Sequence, residues 1–104
     1  MEKDLINRAR KKDVQAISEI VQKTQRKVIY FVYKVVNDEE LAKDIVLQSY
    51  ILAFQNLDQL MDDGNFEHWF GRKVSEQLLN QIEYEKNSSL NSSFYVDEED
   101  RIEI

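Results

Sequence analysis

Apolar residues recur at steps of three and four along most of the chain, the spacing of helices that each bury one face. A short first helix is expected from Asp4 as its cap to about Lys12, with Leu5, Ile6 and Ala9 on one face. Asp13 can cap a second helix, whose apolar positions are Ile17, Ile20, Val21, Val28, Phe31, Val32 and Val35. The run Val28-Ile29-Tyr30-Phe31-Val32-Tyr33 has strand-like composition. Helix is preferred because the helical phase continues on both sides with no turn between. Asn37-Asp38-Glu39-Glu40 reads as a break followed by a cap, with acids well placed in a first turn. A third helix then runs from about Glu39 to Leu60. Asp62-Asp63-Gly64 forms a loop, and Asn65 caps a fourth helix carrying Phe66, Trp69, Phe70, Val74, Leu78 and Ile82. The pattern therefore predicts an all-α, compact bundle of three to four helices over residues 1–86. Residues 87–93 read as a polar linker and the remainder to 104 as an acidic, loosely held tail.

The third helix has an unusual pattern. Ala42, Ile45, Val46, Ser49, Tyr50, Ala53 and Leu57 share the face expected to be core. Asp44, Leu47, Gln48, Ile51, Leu52 and Gln55 share the opposite face, where a surface helix ordinarily carries polar residues only. Two readings follow: burial beneath the first helix or the tail, or an exposed patch that binds a partner.

Composition narrows the chemistry. The 104 residues include no cysteine and no proline, and only Gly64 and Gly71 as glycines. Without cysteine there is neither disulfide nor thiolate metal site, and without proline long helices run uninterrupted. The single histidine, His68, has no carboxylates at a metal-ligand spacing, so no metal and no cofactor are expected. Neither a Gly-rich phosphate loop nor a nucleophile–histidine–acid grouping is present, which argues against an enzyme. No apolar run is long enough to span a bilayer and the first residues lack a signal-peptide core, so a cytoplasmic location without membrane association is expected. The net charge of −6 is unevenly distributed. Residues 1–34 hold nine Lys/Arg against four Asp/Glu, residues 35–86 four against eleven, and residues 87–104 one against five. Phosphate neutralisation by this chain alone is therefore weak.

These segments carry a family resemblance. Ala9-Arg10-Lys11-Lys12-Asp13 is similar to an opening A-R-K-G-D, and Ala16–Ile20 to A-F-E-E-L. Asn37-Asp38 stands where G-D commonly precedes a third helix. Leu41 to Phe54 follows D-A-E-D-L-V-Q-E-V-F-L-R-A-W without a gap, and Phe66 to Arg72 resembles F-R-A-W-L-Y-R. Over about three quarters of its length the chain resembles region 2 of the extracytoplasmic-function sigma factors, within the sigma-70 family. No single motif is decisive; the order and spacing carry the likeness.

The resemblance implies a bacterial transcription-initiation domain that binds the clamp helices of the RNA polymerase β′ subunit. Asp44, Leu47, Gln48, Ile51, Leu52 and Gln55 would face polymerase. Asp58, Asn65, Arg72, Lys73, Glu76 and Asn80 would face the −10 promoter element, with promoter DNA held weakly or only within the holoenzyme. An anti-sigma factor is a further implied partner. The chain would stand without region 4, as a fragment of a longer sigma factor or one half of a split one. It departs from the pattern where Q-E becomes Leu47-Gln48 and an exposed arginine becomes Leu52. It departs again where a basic cluster after the fourth-helix motif is replaced by Glu83 and Glu85. Those departures favour an alternative, a region-2-like interaction module without promoter melting, or one that self-associates through Leu47, Ile51 and Leu52.

Overall fold

The computed structural model describes residues 3–61 and 65–96, with the backbone alone for 87–96. It is all-α, with helices α1 (Lys3–Arg10), α2 (Val14–Val36), α3 (Glu39–Gln55) and α4 (Phe66–Val96), and a single 3-10 turn at Leu57–Gln59. No strand occurs among the described residues.

Local chemistry sets the helix boundaries. Asp13 caps α2 by accepting from the amides of Gln15 (3.0 Å) and Ala16 (3.3 Å). Arg8 donates to the same carboxylate at 3.0 Å, locking α1 against the start of α2. Asp38 caps α3 through the Leu41 amide at 3.1 Å, and Asn65 caps α4 through the His68 amide at 3.1 Å. The turns before α2 and α3 require left-handed backbone. Lys12 adopts φ 67° and Asn37 φ 57°, the two non-glycine residues with positive φ among those described. Asparagine tolerates this conformation; a lysine side chain carries the steric cost of it.

Two expected boundaries shift. The first helix stops at Arg10 rather than near Lys12, because Lys12 turns left-handed, and Asp4 lies within its first turn instead of capping it. The third helix stops at Gln55 rather than Leu60. There Asn56 turns its side-chain amide back onto the Leu52 carbonyl at 2.8 Å, and the chain tightens into the 3-10 turn. Arg10 then ties α1 to that turn by donating to the carbonyls of Leu57 and Leu60. The backbone of α4 continues helical through 87–96, where the sequence suggested a linker. The Asp62–Gly64 loop and the tail from 97 onward lie outside the described residues.

The core lies where α2, α3 and α4 meet. All seven core positions expected of the third helix are buried, six on α3 and Leu57 on the 3-10 turn, as are Phe66, Trp69, Phe70, Val74 and Leu78 of α4. Tyr50 joins the three helices: its ring stacks on Phe70 with centroids 4.5 Å apart, and its hydroxyl meets that of Thr24 on α2. On α2 the buried positions are Ala16, Ile20, Thr24 and Val32, at multiples of four along one row. Phe31 and Val35, expected in the core, lie off that row and are about half exposed. Ile82 is also exposed.

Candidate partner-docking surface

Since α1 packs on α2 and is tied to the 3-10 turn, it leaves the outer face of α3 uncovered. Asp44, Leu47, Gln48, Ile51, Leu52 and Gln55 are all exposed. The apolar members stand at 56% (Leu47), 43% (Ile51) and 36% (Leu52), so the first helix does not bury them; the tail from 97 onward, the other cover considered, lies outside the described residues. Three large apolar side chains on one turn and a half of helix are costly to leave in water, at about 25 cal/mol per Å² of apolar surface.

Beside this ridge, α3 and α4 run antiparallel and frame a recess of about 290 Å³. Its floor is Leu41 and Ile45; its walls carry Asp44 and Gln48 from α3 and Gln77, Asn80 and Gln81 from α4. The fold thus places Asn80, expected to face promoter DNA, beside two residues expected to face polymerase. Gln77 and Gln81 belong to this surface and were missed, since sequence spacing on α4 does not show where α3 crosses it.

The other expected DNA-facing residues are spread. Asp58 is exposed on the 3-10 turn and Asn65 is exposed at the α4 cap, its side chain engaged by the His68 amide. Lys73 is half-buried: its ammonium donates to Gln59 Oε1 at 3.4 Å and sits 5.4 Å over the Trp69 ring. Arg72 and Glu76 are exposed, and neither forms an ion pair with a described residue. Arg72 borders a different groove, of about 490 Å³, together with Lys27 and Phe31 of α2 and His68 of α4. Gly71 lines that groove, and a Cβ there would meet nothing within 4 Å.

Electrostatic perturbations fall away from both surfaces. The Arg8 guanidinium, donating to Asp13, holds that carboxyl below the usual carboxylate range, aided by the Ala16 and Gln15 amides. The same bond raises Arg8. Burial pushes the Tyr50 phenol up.

No family model matches this sequence, and neither the curated proteins nor the solved structures yield a match. What the fold and surface define is a small all-α domain with an exposed apolar ridge on α3. Among the described residues no helix is long and apolar enough to cross a membrane.

Proposed function

We propose that this chain is a sigma region 2-like domain that docks on the β′ clamp helices of RNA polymerase through the outer face of α3 and takes part in transcription initiation. The observation that carries the reading is the exposed ridge itself, where Leu47, Ile51 and Leu52 stand among Asp44, Gln48 and Gln55 with no helix among the described residues covering them. A second observation supports it. The resembling pattern has glycine at the positions of Lys12 and Asn37, and these are the two described non-glycine residues with left-handed backbone. A left-handed backbone, which glycine adopts most readily, is present where the pattern calls for glycine, although the side chains differ.

Contact with the −10 element is the weaker part of the reading. Residues 74–85 contain Glu76, Glu83 and Glu85 and no lysine or arginine, so phosphate would be repelled along most of exposed α4. This favours the second reading, an interaction module on the same fold that binds polymerase or another regulator, such as an anti-sigma factor, without opening DNA. Calorimetric titration against the isolated β′ clamp-helix fragment tests the docking. Micromolar or tighter binding, weakened in Asp44→Ala and in Leu52→Arg, is expected. Absence of binding at high micromolar concentration rejects polymerase docking and leaves the ridge to another partner or to a second copy of the chain.

A further inference from the structure

The geometry points to a docking surface that extends past the α3 ridge into the α3–α4 recess, where Asp44, Gln48, Gln77 and Asn80 receive a lysine or arginine from a basic helix of the partner. This rests on the docking reading above and reassigns Asn80 from DNA to protein contact.

Three observations carry it. First, the recess adjoins the ridge without a break, since Asp44 and Gln48 belong to both. A partner lying on Ile51 and Leu52 therefore has its next contact there.

Second, the polar groups of the recess are uncommitted. Asp44 forms no ion pair with any described residue, and the side chains of Gln48, Gln77 and Asn80 form no hydrogen bond with one. Gln81 alone is engaged, donating to Glu85 at 3.1 Å. A carboxylate flanked by carboxamide oxygens is an acceptor-rich site, and a guanidinium or ammonium supplies only donors. An apolar floor of Leu41 and Ile45 suits the methylene stem of either side chain.

Third, the surrounding charge has one sign. Helix α3 contributes Glu39, Glu40 and Asp44, with Lys43 already paired to Glu39 at 3.2 Å. On α4, residues 74–85 contribute three glutamates and no cation. This field attracts a basic segment and repels a phosphate backbone, so the occupant is a cationic protein element rather than nucleic acid.

The test uses the full chain, the clamp-helix fragment as probe, and substitutions that separate charge sign from position. Asn80→Lys places a cation in the recess and is expected to weaken binding about tenfold or more at low salt. Asn80→Asp is expected to bind as well as the parent or more tightly. Ser75→Lys adds the same charge on the opposite flank of α4 and is expected to leave binding within about twofold. Both positions tolerate these side chains, because Asn80 and Ser75 are exposed on a helix; circular dichroism verifies the fold. If the parent binds and Leu52→Arg weakens it while Asn80→Lys does not, the recess is not part of the interface and this inference alone fails. If Asn80→Asp weakens binding as much as Asn80→Lys, the cation assignment is wrong. If the parent does not bind, the docking reading and this inference fall together.

Discussion

Replacing Tyr50 by phenylalanine and Thr24 by valine, singly and together, perturbs a buried side-chain hydrogen bond that joins α2 to α3. Both residues are buried, Tyr50 at 7% and Thr24 at 4% exposure. Thr24 Oγ1 donates to the Ile20 carbonyl at 2.8 Å, so its proton is committed and the Tyr50 hydroxyl is the donor between them. Tyr50→Phe keeps the ring stacked on Phe70 and leaves Thr24 with its bond to Ile20. The loss is one net hydrogen bond, about 0.5–1.5 kcal/mol. Thr24→Val keeps the branched shape but strands a buried phenol hydroxyl without its acceptor, at a cost of about 1–3 kcal/mol. The double variant removes both groups and is expected close to the parent, well short of the sum of the single losses. Urea unfolding followed by the fluorescence of Trp69, the only tryptophan, measures all three. Additive losses, or a Thr24→Val variant as stable as the parent, would refute the contact. Alkaline pH offers a second check. Burial raises the folded Tyr50 phenol above its ordinary value, so its contribution is fully present below about pH 10 and lost as pH rises through the folded value. Tyr50→Phe should flatten that limb.

Three further outcomes are expected. Lys12→Gly relieves a left-handed lysine and should stabilise the fold by about 1 kcal/mol in the same urea assay. Asp13→Asn retains a capping oxygen but no titrating group. The Asp13 contribution is present above the ordinary carboxylate range and is lost as pH falls through its lowered folded value, so the variant should show a shallower acid limb in a pH series of melting curves. Phe70→Ala empties the aromatic centre at a cost of about 3–5 kcal/mol, whereas Ile82→Ala, at a position 42% exposed, should stay within about 0.5 kcal/mol of the parent.

Helix type and most core faces were legible because the apolar period was long and consistent. The β-branched run at 28–33 is helical, as its phase indicated, although composition alone argued for strand. Register on α2 was less legible: a pattern of threes and fours admits neighbouring rows, and contact with α3 selected the one through Thr24 rather than Phe31. A threonine in a core row carries no apolar signal, and its role depends on a tyrosine 26 positions away. Helix ends were misplaced where a side chain competes for backbone, as Asn56 does, or where a lysine takes a glycine-like turn. The outer face of α3 was readable from the helical wheel. Its continuation onto Gln77 and Asn80 was not, because it depends on where two antiparallel helices cross.

The central claim, that the outer face of α3 docks on polymerase, is tested most directly by site-specific photocrosslinking to purified core RNA polymerase. A benzophenone side chain at Ile51 is expected to crosslink to β′, and the same group at Val14, exposed at the start of α2, is not. A β′ crosslink from Val14 with none from Ile51, or no crosslink from either, would contradict it.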